Sequence, residues 1–161
     1  MAFMRTSMLL LTAVTVLAQF PQPNGGGFEQ GTLPLEWRTG GPNCVELPDW
    51  QVHEYNPDFY ILRESGCTNY EKPFLFLIFG SDRAMLTDTG AGKVDTRTAV
   101  MAVLNAWTKR NNRPNVPLLV VHTHGHGDHT AGDPQFRNVP GIQFVEPTQA
   151  ALIEAFQLKD W

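Results

Sequence analysis

Four of the chain's five histidines fall within eight positions, His122-Thr123-His124-Gly125-His126-Gly127-Asp128-His129, directly after the apolar run 118–121. Residues two apart on an α-helix point about 200° away from each other, so His124 and His126 cannot meet on one helical face. The segment is therefore read as extended chain or loop at a strand end. In extended geometry His124, His126 and Asp128 project to one side while His129 points elsewhere, and Gly125 and Gly127 let the backbone bend tightly. The carboxyl end of a strand is where open α/β sheets usually bind their ligands, so the position matches the residue types.

Imidazole nitrogen with carboxylate oxygen is a borderline donor set. It suits Zn²⁺ best, although Fe and Mn accept the same ligand types. One short peptide of this pattern can feed two adjacent ions. His122 flanks the cluster and reads as a structural histidine at the strand end. His53 stands alone among hairpin residues and reads as surface or core, and Trp37, Trp50, Trp107 and Trp161 read as core.

The rest of the chain supplies the frame. Residues 51–55 and 59–63 predict a hairpin around Asn56-Pro57-Asp58, whose proline and Asx side chains favour a turn. Residues 74–79 are continuously apolar, as expected of a strand covered on both faces, and Gly80-Ser81-Asp82 turns the chain into a strand over 83–87. After the glycine-rich turn Asp88-Thr89-Gly90-Ala91-Gly92, Asp95 can cap a helix that places Val100, Val103, Leu104 and Trp107 on one face; residues 111–114 end it. Strands over 118–121 and 142–145 and a helix over 147–158 follow, with Asp82 and Asp133 as turn residues. Hairpins first and helix-strand alternation after predict an α/β fold built on a mixed sheet, with helices on at least one face.

Composition removes several classes of function. The 161 residues carry 12 Lys+Arg against 16 Asp+Glu, a net charge of −4, which lacks the basic surplus of a nucleic-acid groove or an anionic-membrane binder. With 42% hydrophobic and 17% charged residues the chain suits a packed core rather than disorder. Residues 1–18, with Arg5 ahead of an apolar run, read as a secretory signal peptide; its run of about 11 apolar residues falls short of the ~20 needed to span a bilayer. A secreted or periplasmic location without a stable membrane anchor is expected. Residues 19–47 form a Pro/Gly-rich segment in which Gly25-Gly26-Gly27 reads as tether, and 48–161 form the folded part. In an oxidising compartment Cys44 and Cys67 either form a disulfide, worth about 3 kcal/mol through loop closure, or remain two free buried thiols.

The run His124-x-His126-x-Asp128-His129, preceded by an apolar strand and followed by Thr130-Ala131-Gly132, resembles the signature of the metallo-β-lactamase superfamily. Leu86-Thr87-Asp88-Thr89-Gly90 resembles that family's other N-terminal element. The resemblance covers residues 48–161 and implies the N-terminal half of an αββα sandwich, a truncated one. It implies that His124 and His126 bind a first metal, that Asp128 and His129 bind a second, and that Asp128 also orients the attacking hydroxide. Asp88 would steady the metal loop through hydrogen bonds without touching metal, or else cap its own turn. Histidine rather than arginine at 129 looks more like the glyoxalase II, lactonase and dinuclear lactamase-like branches.

The activity so implied is that of an exported zinc hydrolase, in which zinc-activated hydroxide attacks an ester, amide or thioester bond of a small-molecule substrate. After His129 there is no further histidine or cysteine, whereas the family completes both sites with residues downstream. One or two Zn²⁺ are implied, the second site being incomplete here. The alternative is a truncated, non-catalytic metal-binding polypeptide, or a half-domain that needs a C-terminal partner and is inactive or poorly soluble without it; a third is an extracytoplasmic zinc carrier. The acidic balance points away from nuclease branches, and β-lactam, lactone, thioester, phosphoester and sulfate ester stay open as substrates.

Overall fold

The computed structural model describes residues 29–39 and 47–158. The proposed signal peptide, Cys44 and Trp161 lie outside the described residues. Six strands form one sheet in the order of the sequence: β1 (Trp50–Asn56), β2 (Phe59–Glu64), β3 (Phe74–Phe79), β4 (Ala84–Thr87), β5 (Leu118–Val121) and β6 (Ile142–Phe144). The first four pair antiparallel in sequence order, and β4, β5 and β6 pair parallel. The mixed sheet follows from the connections. The two-residue β1–β2 and four-residue β3–β4 turns allow only antiparallel neighbours, and the nine-residue β2–β3 connection is too short for a crossover, while the longer segment carrying α1 (Thr96–Arg110) lets β5 return alongside β4.

Strand alternation divides the apolar residues between two faces. On the first, Leu62, Leu75, Leu77, Leu86 and Val120 lose all exposure and pack with Val100, Leu104 and Trp107 of α1. Asp95 caps that helix, accepting from the Thr98 backbone N–H at 2.9 Å, as its spacing predicts. The Trp107 ring stacks on Phe79 at 4.3 Å, and its Nε1–H donates to the Pro57 carbonyl and to Asp58 Oδ1, which locks the helix to the β1–β2 turn. Val103, on the predicted apolar face, is only half-buried.

The opposite face is covered in two patches. At one end, α3 (Gln149–Phe156) lays Ala151, Leu152 and Ala155 on Leu119, Val121 and Val145. At the other, residues 32–38 run beside β1: Thr32 N–H donates to the Tyr55 carbonyl at 2.9 Å, and the Trp37 ring meets His53 and Phe74 edge-on. Between the patches none of the described residues forms a second layer on the sheet. The expectation that residues 74–79 are covered on both faces is therefore met on one only: Leu75, Leu77 and Phe79 are buried, Phe76 and Ile78 are half-buried and Phe74 is 36% exposed. Among the described residues no helix is long and apolar enough to cross a membrane.

Leu62→Ala, which opens a cavity at a position without exposed surface, is expected to cost about 2–5 kcal/mol of unfolding free energy in urea. Val52→Ala, at its 47% exposed register partner, should stay within about 0.5 kcal/mol of the parent in the same titration.

Candidate metal centre

The parallel pairing of β4 and β5 brings their carboxyl ends together, Thr87 opposite Val121. Asp88 leaves β4 with its N–H on the Val121 carbonyl at 2.8 Å and a left-handed φ of 64°. That conformation turns its side chain into the neighbouring loop. The carboxylate, 1% exposed, accepts three hydrogen bonds there: Thr123 N–H to Oδ1 at 2.8 Å, Thr123 Oγ1–H to Oδ2 at 2.7 Å, and His129 Nδ1–H to Oδ2 at 2.9 Å. Asp88 reaches across to the histidine loop and not into its own turn.

The histidine segment is extended only as far as His126. There α2 (Gly127–Thr130) begins, with the His126 carbonyl accepting from the N–H groups of His129 and Thr130. This one helical turn corrects the expected divergence of His129. Its ring swings back beside His124, with centroids 4.0 Å apart, and the His124 and His126 rings lie 4.6 Å apart. His124 and His126 are exposed, and Asp128 and His129 are half-buried. The role expected of Gly125 and Gly127 is also corrected: neither takes a positive φ, and a Cβ at either would meet nothing within 4 Å.

The glycines that matter sit elsewhere. A Cβ on Gly132 would lie 2.1 Å from the Thr89 carbonyl oxygen, so only glycine lets the Asp88–Gly92 turn dock on the segment after α2. Thr89 N–H donates to the His129 carbonyl at 2.8 Å and Gly132 N–H to the Gly90 carbonyl at 3.1 Å, which seals the contact. Asp133 lies below it and is more than a turn residue. Its Oδ1 accepts from His122 Nε2–H at 2.8 Å and from Thr89 Oγ1–H at 2.7 Å, and Oδ2 accepts from Arg137. The His122 side chain is thus buried just past the end of β5, with its ring edge against Phe144 and its Nδ1 without a hydrogen-bond partner among the described residues.

Imidazole and carboxylate are donors of the zinc-ligand type. Thr123 Oγ1 gives its proton to Asp88 and so accepts from His124 Nδ1–H at 3.1 Å. Asp88 holds the Nδ1–H of His129 in the same way. In both rings Nδ1 is thus engaged within the protein, which leaves Nε2 as the nitrogen able to meet a ligand. His129 Nε2 lies 3.1 Å from Asp128 Oδ2, so the ring stands between two carboxylates, Asp88 on Nδ1 and Asp128 on Nε2. As placed, no group of three or more His, Cys, Asp or Glu side chains among the described residues is set to hold an ion. Cys67 stands apart from the cluster in the β2–β3 connection and is disulfide-bonded; the other of the chain's two cysteines, Cys44, lies outside the described residues.

No family model matches the sequence, and no curated protein matches it. Solved structures of metallo-β-lactamases are similar to part of the chain. The DIM-1 enzyme exposed to ceftazidime aligns with 70% of this chain and 49% of its own at 20% identity and a TM-score of 0.45. The enzyme from Hirschia baltica aligns with 68% of this chain and 48% of its own at 17% identity and a TM-score of 0.44. For the FIM-1 enzyme from Pseudomonas aeruginosa, in its mono-zinc form, the values are 68%, 48%, 18% and 0.43. The chain spans about half the length of these structures.

Asp88→Ala strands two N–H donors and a hydroxyl in a buried site. It is expected to destabilise the fold by about 3 kcal/mol in chemical denaturation, with Thr123→Val recovering little of the loss. Asp88→Asn, which keeps one acceptor oxygen, should fall between the two.

Proposed function

We propose that His124, His126, Asp128 and His129 are the ligands that this chain contributes to the zinc site of an exported metal-dependent hydrolase of the metallo-β-lactamase type. The observation that carries the reading is the three-bond grip of Asp88 on Thr123 and His129. A carboxylate on the far nitrogen of an imidazole fixes its tautomer and raises its basicity, which is the usual support of a metal-bound histidine.

Bound zinc would supply Lewis acidity and a water acidified toward neutral pH. The remaining steps belong to this chain's side chains. His124 and His126 lie on the exposed rim, where an ion and a substrate can both arrive. Asp128 is an acceptor within reach of the same space and would take or orient a proton there. His129 is held from behind by Asp88, so its ring cannot turn away when a ligand leaves. The bond attacked is an ester, amide or thioester of a small molecule, and the ligands beyond these four come from chain that follows the histidine loop in a complete domain.

The half-open second face of the sheet favours a linked reading, in which this chain is a half-domain completed by a C-terminal partner. Phe76 and Ile78, half-buried among the described residues, leave apolar surface between the two covering patches, of the kind that a second layer covers. On that reading the chain holds zinc without turnover and gains turnover only when the remaining half is supplied.

Calorimetric titration of the full chain with zinc tests the site. Binding near one ion per chain is expected, weakened about tenfold or more in His126→Ala and in Asp128→Ala. Heats no different from the double variant His124→Ala/His126→Ala would remove the zinc reading. Thioester, lactone and chromogenic β-lactam turnover, assayed on the zinc-loaded chain, then separates a hydrolase from a carrier.

A further inference from the structure

We propose that Glu64 is a positioning residue, whose buried carboxyl sets the Gly90-Ala91 turn and through it the angle at which Asp88 holds the histidine cluster. Glu64 closes β2 and has no exposed surface. Its Oε2 accepts from the Ala91 backbone N–H at 3.1 Å, and its Oε1 accepts from Thr68 Oγ1–H at 3.3 Å. Across the β1–β2 ladder it pairs with Trp50, and together the two side chains form the floor of the turn. Gly90 has a φ of +83°, and a Cβ there would stand 3.0 Å from the Trp50 ring and 3.2 Å from Glu64 Oε2.

The turn is therefore held from two sides. On one, the Gly90 carbonyl accepts from Gly132 N–H and Thr89 N–H donates to the His129 carbonyl. On the other, the Glu64 carboxyl takes the Ala91 N–H, a donor that an apolar side chain would leave stranded in the core. Asp88 is three residues before this anchor. A shift of a few tenths of an ångström at Ala91 is carried to its three hydrogen bonds.

Keeping a carboxyl in this position costs free energy. Burial pushes its pKa above the ordinary carboxylate range, Asp49 pushes the same way, and the Ala91 N–H, Thr68 hydroxyl and Lys93 charge oppose them. Both protonation states can accept from Ala91, so the anchor is the oxygen and not the charge. An acidic side chain is retained where leucine would pack, because leucine cannot satisfy the turn.

The last link, from Asp88 to the ion, rests on the zinc reading above, and the test separates the two. The full chain is compared with Glu64→Gln, Glu64→Leu and Glu64→Asp by nuclear magnetic resonance, following the Ala91 amide, the His129 Nδ1–H and, as a report on the global fold, the Trp107 indole N–H. Glu64→Gln should keep all three signals. Glu64→Leu should speed Ala91 exchange about tenfold and displace the His129 Nδ1–H signal while the Trp107 signal stays. Should the leucine variant fail to fold, Glu64→Asp, which keeps the acid and loses the reach, gives the same local signature. Zinc affinity should drop about tenfold in the variants that lose the anchor and not in Glu64→Gln.

An unchanged His129 signal in both Glu64→Leu and Glu64→Asp would overturn the proposal, as would Glu64→Gln behaving like them. If the parent chain itself takes no zinc, the metal reading falls, and the proton signals still decide the role of Glu64.

Discussion

The geometry of the candidate centre depends on a carboxylate that does not belong to the histidine loop. Asp88 follows β4, the loop follows β5, and the carboxylate bridges the two ends with three hydrogen bonds from a site closed to solvent. Low local dielectric makes such bonds strong and makes their loss costly. It also makes them directional. Thr123 and His129 lie six positions apart, and their joint fixation holds the intervening loop, His124 and His126 included, as a shaped rim.

The sheet makes that bridge available. Parallel pairing of β4 with β5 puts two carboxyl ends side by side, and the crossover through α1 fixes the pairing by burying Val100, Leu104 and Trp107 on the same face as Leu86 and Val120. The core therefore acts on the site through register: a slip of one residue between β4 and β5 would move Asp88 to the wrong side of the sheet. Close docking of the Asp88–Gly92 turn on Gly132 and the Asp133 contacts to Thr89 and His122 tie the far end of the loop to the same frame. Both ends of the histidine segment are thus anchored, and its exposed middle is left free for a ligand.

Much of this was legible in the sequence because it is local. The hairpin over β1 and β2 follows from Asn56-Pro57-Asp58 and alternation, and α1 follows from Asp95 and the spacing of Val100, Leu104 and Trp107. What escaped is nonlocal. The return of His129 toward His124 needs the one-turn helix that begins at His126, and a two-residue period gives no hint of it. Gly125 and Gly127 drew attention by their neighbours, while Gly132, which the fold requires, is marked only by a contact with Thr89. Glu64 and Asp133 act across 27 and 44 residues on Ala91 and Thr89. The one trace of Glu64 in the sequence is an acid closing an apolar strand, and Asp133 looks like any turn aspartate. The continuous apolar run of β3 overstated its burial, since apolar composition on the second face does not say what covers it.

The central claim is that imidazoles of the 124–129 segment, oriented by Asp88, bind a zinc-type ion. Zinc-edge X-ray absorption of the zinc-loaded full chain tests it most directly. The account predicts a coordination shell with the multiple-scattering pattern of at least two imidazoles, reduced in His126→Ala. A shell of oxygen donors alone, the same in parent and variant, would contradict it.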